Sequence, residues 1–163
     1  MSRSKNNLEE ELVETNLLMQ FKDLGIGMVL ALSAFGSAAG AGVAGMAAIG
    51  AWKKNFVQNK IPSFMLVAFV GAPLTQTIYG MIVMNKLAEL AAKGQYLWGI
   101  GAFCGAAIGL SAYFQGKCAA VACDAMGETN KGFSNYIVVL GMTETVALFV
   151  MAFTLGILGK LGG

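Results

Sequence analysis

The sequence predicts an all-α membrane protein with four transmembrane helices, and three observations support this fold class. Of the 163 residues, 56% are hydrophobic and only 12% are charged, whereas a soluble domain is about 25% charged. The charges separate long apolar stretches, each close to or above the roughly 20 residues that a bilayer requires. Stretches rich in Gly and Ala alternate with stretches of large apolar residues, which favours two tandem helical hairpins.

The composition argues against several classes of function. The net charge is only +2, so no basic surface indicates a nucleic-acid partner. The chain has no His, the commonest general base and metal ligand. Its three cysteines form no CxxC pair and are expected to act as small buried hydrophobic residues. We therefore expect no catalytic centre within this chain and no organic cofactor.

Residues 1–23 are predicted to be a polar, amphipathic extension. They do not resemble a secretory signal, which would have a short basic region followed by an apolar core. Leu8, Leu12 and Leu18 can share one helical face, so the segment is interpreted as a surface helix or an extension of the first span. The acidic residues of this segment are Glu9, Glu10, Glu11, Glu14 and Asp23.

The remainder is predicted to form two hairpins, over residues 24–92 and 93–163. Lys117 is the one charge inside the third span, and its side chain is expected to extend towards a headgroup region. The second hairpin contains the triplet Thr143-Glu144-Thr145, which matches Thr75-Gln76-Thr77 of the first at a similar depth. A duplicated hairpin that keeps a carboxylate in only one copy explains this match. The predicted spans are Leu24–Trp52, Ile61–Leu90, Tyr96–Ala122 and Phe133–Leu158.

Glu144 is the strongest functional signal. It is the only charged residue between Lys131 and Lys160, and it lies near the middle of the fourth span. A carboxylate at that depth costs roughly 2.5–3.5 kcal/mol on insertion scales. The first interpretation is an ion or proton site, and the alternative is a structural hydrogen bond between helices.

Several oxygen-bearing side chains share the depth of Glu144. Gln76 and Gln115 are central in the second and third spans, Thr75 adjoins Gln76, and Tyr79 follows it by three residues on the same helical face. A dehydrated hard cation needs such oxygen ligands, whereas a proton needs only one carboxyl group. The set favours Na⁺ over H⁺. A polar network that only joins helices is the alternative.

Three motifs give the chain a resemblance to a known family. GAPLTQTIYG (71–80), YFQGKCAA (113–120) and GMTETVALF (141–149) resemble the proteolipid, or c-type (K), subunit of V-type and A-type rotary ATPases in its duplicated four-helix form. The bacterial sodium-transporting members are the most similar. The resemblance covers roughly residue 25 to the C-terminus, and the acidic extension is not part of the family pattern.

The resemblance implies a role for each residue of the site. Glu144 would be the essential ion-binding carboxylate, and Tyr79 would donate a hydrogen bond to it and close the site. Pro73, which lacks an N–H, would stand beside the backbone carbonyl that completes the ion's shell. The other implied ligands, all of them oxygen donors, are Gln115, Gln76, Thr75 and the backbone carbonyl of Ala72.

The resemblance also implies an assembly in the cell membrane. Several copies would form a rotor ring, with spans one and three as the inner circle and spans two and four facing outwards. An arginine of a stator subunit would displace the Na⁺ (or H⁺), and loops 53–60 and 127–132 would face central-stalk subunits. ATP hydrolysis or synthesis would belong to the partner complex, coupled to rotation of the ring through lipid.

A small four-helix cation-coupled antiporter, with one intramembrane carboxylate, is the alternative function. It would place an aromatic substrate pocket around Glu144. It would not explain the match between Thr75-Gln76-Thr77 and Thr143-Glu144-Thr145, or the glycines of the first and third spans.

Overall fold

The computed structural model describes residues 12–16, 24–95 and 97–162. Residues 12–16 are helical, and most of the predicted extension 1–23 lies outside the described residues. Within these ranges every regular element is a helix, which confirms the all-α fold class. In chain order the helices are α1 (Leu24–Val57), α2 (Leu66–Gly71), α3 (Thr75–Ala92), α4 (Trp98–Thr129) and α5 (Phe133–Gly162).

Three stretches of the described chain are long and apolar enough to cross a membrane. They are α1, the stretch Leu66–Ala92 that joins α2 and α3, and α5. The 32-residue α4 also runs through the bundle, but it carries Gln115, Lys117 and Asp124. The predicted four helices are thus present, and the more polar α4 is the one that other helices cover most.

The two glycine-rich helices, α1 and α4, lie side by side and run in the same direction. Gly25 faces Gly101, Gly36 faces Gly109, and Gly40 faces Gly116, so that a Cβ atom at Gly36 or Gly116 would overlap the opposite backbone. Small residues let two helix backbones approach this closely and gain van der Waals contact in a membrane. The glycine pattern in the sequence therefore creates the central helix pair.

Between α2 and α3 the helix tightens into a 3₁₀ turn over Ala72–Leu74. Pro73 is buried at its centre and has no N–H to donate, so a regular α-helix is interrupted there. In a 3₁₀ turn, hydrogen bonds span three residues rather than four. The turn changes the direction of the Ala72 carbonyl, which lies close in depth to the triplet Thr75-Gln76-Thr77.

Two apolar cores lie on either side of a polar layer. One core contains Phe69, Cys123 and Met126, and the other contains Val83 and Ile108 with further residues of α1, α3, α4 and α5. Gln76 and Gln115 are fully buried between the two cores. The fold therefore places amide groups near mid-bundle, where they must bond to each other or to a ligand.

The ends of the second hairpin are fixed by turns and hydrogen bonds. Asn130 and Gly132 adopt positive φ angles of 54° and 88°, which reverses the chain between α4 and α5. At the opposite end, Lys93 Nζ donates to the carbonyl of Gly162 at 3.0 Å, where a cation stabilises a helix C-terminus. These contacts set the axial position of α5, and with it the depth of Glu144.

Candidate ion-binding site

The structure brings all six predicted site residues together around the carboxylate of Glu144. Its Oε1 atom accepts hydrogen bonds from the hydroxyl of Thr75 at 2.7 Å and from the hydroxyl of Tyr79 at 2.6 Å. Its Oε2 atom accepts a longer one from Nε2 of Gln115 at 3.3 Å. Three donors from two other helices therefore hold a half-buried carboxylate, and bonds to an ionised acceptor are the stronger kind.

A pair of buried amide groups lines one side of the site. Nε2 of Gln76 donates to Oε1 of Gln115 at 2.7 Å, and Nε2 of Gln115 also donates to the backbone carbonyl of Leu140 at 3.0 Å. These bonds fix the orientation of both amides, with the nitrogen of Gln115 facing Glu144. The oxygen of Gln115 accepts one bond and keeps a second lone pair, so it can still act as a ligand.

The hydroxyl oxygen of Thr75 lies close to three other oxygen atoms. The hydroxyl lies 3.1 Å from the backbone carbonyl of Ala72, 3.1 Å from Oε1 of Gln76 and 2.7 Å from Oε1 of Glu144. The 3₁₀ turn at Pro73 produces this arrangement, because it brings the carbonyl of residue 72 to the side chain of residue 75. One formal negative charge and three neutral oxygens are a donor set for a hard monovalent cation.

The site is not built for a transition metal. Among the residues that the structure describes, no group of three or more His, Cys, Asp or Glu side chains could hold a metal ion. Imidazole and thiolate ligands are those that select zinc, copper or iron. The side chains that contact Glu144 offer hydroxyl and amide groups instead.

Two contacts of the site were not predicted from the sequence. The hydroxyl of Ser111 donates to the backbone carbonyl of Thr143 at 2.7 Å, and the carbonyl of Leu140 accepts from Gln115. Both hold α5 against α4 within the turn of α5 that precedes Glu144. A backbone carbonyl has no signature in a sequence, whereas a Ser at the depth of the carboxylate was visible and could have been included.

Replacing Tyr79 by Phe should weaken cation binding while leaving the ligands in place. The variant removes the 2.6 Å bond to Glu144, and a hydrogen bond to a charged group contributes about 1.5 kcal/mol or more. We expect a roughly tenfold higher dissociation constant, measured as sodium-dependent protection of Glu144 from a carboxyl reagent. Tyr113→Phe, which alters another half-buried tyrosine, is the control. Equal constants for the two variants would exclude this role for Tyr79.

Comparison with known proteins finds a similarity for part of this site. Residues 98–157, which include Gln115 and Glu144, match the family model of the ATP synthase C subunit. The match covers α4 and most of α5, and not Thr75, Gln76 or Tyr79. No curated protein matches the chain. The second hairpin is therefore similar to the ATP synthase C subunit, and the length and hydropathy of the helices are those of an integral membrane protein.

Proposed function

We propose that this protein is a rotor-ring subunit of a V/A-type ATPase that carries Na⁺ across the membrane at Glu144. One observation supports this most strongly: a single carboxylate in an apolar helix gathers hydroxyl, amide and carbonyl oxygens from the neighbouring elements. The match of residues 98–157 to the ATP synthase C subunit supports an ion-carrying role in a ring of identical copies. The sodium preference and the V/A type are our inference.

The geometry suggests how ion loading controls the ring. A bound Na⁺ neutralises Glu144, so the loaded site can face lipid, whereas an empty and charged site is penalised there. In the loaded site, Tyr79 would still donate its hydrogen bond to the carboxylate. The hydroxyl oxygen of Thr75 would act as a ligand of the cation. An arginine of a stator subunit would then displace the ion, and ATP chemistry in the partner complex would drive or follow the rotation.

Sodium is favoured over the proton because the site has more oxygen donors than a proton needs. A proton requires one carboxyl oxygen, but the Gln76 amide oxygen and the Ala72 carbonyl oxygen both lie 3.1 Å from the Thr75 hydroxyl, which itself contacts Glu144. A cation without its water requires several such ligands at once. The proton remains the alternative cargo at the same carboxylate.

The proposal predicts that Na⁺ protects Glu144 from a carboxyl-reactive carbodiimide at constant pH. With Na⁺ at ten times its dissociation constant, only about one site in eleven stays empty, so labelling should be about tenfold slower. Labelling is measured by mass spectrometry of the protein in membranes, with K⁺ at equal ionic strength as the control. A labelling rate that depends on pH and ignores Na⁺ would contradict sodium binding and assign the site to protons.

A further inference from the structure

The hydroxyl group of Ser37, on α1, is buried without a hydrogen-bond partner. Ser37 is 2% exposed, and its Oγ is the one buried side-chain polar atom of the described chain for which no partner is found. A hydroxyl taken out of water without a bond is unfavourable. Native proteins satisfy nearly all such groups, either with other protein groups or with ordered water. The surroundings of Ser37 should therefore contain the group that its hydroxyl serves.

Ser33, one turn earlier on the same face of α1, shows how this helix can satisfy a serine. Its Oγ donates to the backbone carbonyl of Val29 at 2.7 Å, a bond that helical serines commonly make within their own helix. Ser37 makes no such bond to the carbonyl of Ser33. Its buried hydroxyl therefore faces the helices that pack against α1.

The residue of α3 that lies opposite Ser37 is Gln76. α1 runs antiparallel to the stretch that leads from the 3₁₀ turn into α3. The two pairs in which an added Cβ atom would touch the other helix's side chain are Ser33–Gly80 and Gly40–Pro73. From Ser33, one turn forward along α1 reaches Ser37. From Gly80, one turn back along α3 reaches Gln76, so these two residues share a depth.

The repeat in the sequence gives an independent reason to pair Ser37 with Gln76. LSAFGS (32–37) on α1 matches LSAYFQ (110–115) on α4, and at the same spacing AGVA (41–44) matches AAVA (119–122). Ser37 is thus the counterpart of Gln115, as Gln76 is the counterpart of Glu144. In the second hairpin Gln115 donates to Glu144 at 3.3 Å. The same two positions are expected to interact in the first hairpin.

The Gln76 side chain has one N–H left for such an interaction. A primary amide carries two N–H groups, and Gln76 uses one of them for Oε1 of Gln115 at 2.7 Å. Its Oε1 lies 3.1 Å from the Thr75 hydroxyl, on the side of the proposed cation. Because Gln76 is fully buried, its second N–H also needs an acceptor.

We infer that Ser37 is a positioning residue of the ion site, joined to the Gln76 amide by one ordered water molecule. This inference rests on the proposed sodium function and gives α1 a part in that site. The water would accept from Nε2 of Gln76 and donate to Oγ of Ser37, and bridging waters of this kind satisfy buried polar groups in many proteins. With both N–H groups bonded, the amide keeps its oxygen towards the cation. A rotated amide would present N–H groups to a positive ion.

Ser37→Ala tests the inference through the sodium protection of Glu144. The variant loses the acceptor that holds the amide, so we expect the dissociation constant of Na⁺ to rise about fivefold, the effect of one ordinary hydrogen bond. The constant is obtained from carbodiimide labelling in membranes at fixed pH over a range of Na⁺ concentrations.

Ser33→Ala is the matched control for this measurement. It removes a hydroxyl that is equally buried on the same face of α1, but whose bond lies within its own helix. Its dissociation constant for Na⁺ should equal that of the unmodified protein. Equal constants for the Ser33 and Ser37 variants would overturn the inference.

The pH dependence of labelling without Na⁺ distinguishes positioning from a general loosening of the site. Gln76 bonds to Gln115 and Thr75, and the groups that donate to Glu144 itself stay in place in the variant. Ser37→Ala should therefore raise the sodium constant and leave the pH profile of labelling where it is. A pH profile that shifts together with the sodium constant would contradict a role exerted through Gln76.

Unfolding without Na⁺ tests the bond separately from the ion. If Ser37 had no partner, Ser37→Ala would remove an unsatisfied polar group and stabilise the protein. If the water bridge exists, the variant leaves an N–H of Gln76 unbonded, and the midpoint of unfolding in mixed detergent should fall below that of Ser33→Ala. The reference is suitable because both variants make the same exchange of serine for alanine within α1.

The outcomes separate this inference from the proposed function. A midpoint equal to or above that of Ser33→Ala overturns the water bridge, while sodium protection of the unmodified protein would still support the proposed function. Labelling of the unmodified protein that ignores Na⁺ overturns the sodium function and with it the role of Ser37 in ion binding. A lowered midpoint would in that case still support the bond to Gln76.

Discussion

Glu144→Gln is expected to abolish ion transport by the assembled complex while leaving the ring intact. The amide has the shape of the carboxylate but no charge, so it cannot balance a bound Na⁺ or release a proton. The oxygen of the amide can still accept from Thr75 and Tyr79, which at present donate at 2.7 Å and 2.6 Å. We expect ATP-driven Na⁺ uptake into vesicles to fall to the background rate, with normal ring assembly.

The control for this variant is Glu89→Gln. Glu89 is exposed near the end of α3 and pairs with Lys86 at 2.8 Å, and an exposed pair of this kind contributes little to stability. Uptake by this variant should equal that of the unmodified protein. Full uptake by Glu144→Gln would refute the rotor function, because no other carboxylate of the described residues lies in the polar layer.

Gly36→Leu should have the largest effect on the fold itself. A Cβ atom at Gly36 would overlap the backbone of Gly109, and backbone atoms cannot move aside as a flexible side chain can. Overpacked cores lose up to about 3 kcal/mol, and we expect at least that loss in the free energy of unfolding. Reversible unfolding in mixed detergent, followed by circular dichroism, measures it.

Gly156→Leu is the matched control, because it adds the same side chain to α5 where a Cβ atom would meet nothing within 4 Å. It should leave the free energy of unfolding within about 0.5 kcal/mol of the original value. Equal stability of the Gly36 and Gly156 variants would show that the close approach of α1 and α4 is not needed. The comparison separates close packing from the general replacement of a helical glycine.

A charge in an apolar helix is conspicuous, and for this reason the sequence could single out the residues around Glu144. Glu144 stands alone among apolar residues, and the matching triplet Thr75-Gln76-Thr77 located its partners on the first hairpin. The spacing of three residues then placed Tyr79 on the same face as Gln76. The structure brings these side chains within hydrogen-bonding distance of one another or of Glu144. Their role as ion ligands stays a prediction.

Other features could not be obtained from the sequence. Charged residues suggested that the first span ends at Trp52 and the third at Ala122, but α1 continues to Val57 and α4 to Thr129. A helix can extend beyond the hydrocarbon, so a lysine marks the membrane boundary and not the helix end. The orientation of the Gln115 amide depends on Leu140 and Gln76 together. These contacts join different helices of the folded protein and leave no pattern in the sequence.

The division of the protomer by its polar layer has a consequence for electrical insulation. Apolar side chains, including Phe69 on one side and Ile108 on the other, fill the space above and below Gln76 and Gln115. Under the proposed function, these two apolar cores separate an ion at Glu144 from both faces of the membrane. Such an ion would arrive and depart through the half-exposed flank of α5. The membrane voltage would then drive ions only where another subunit gives access to that flank.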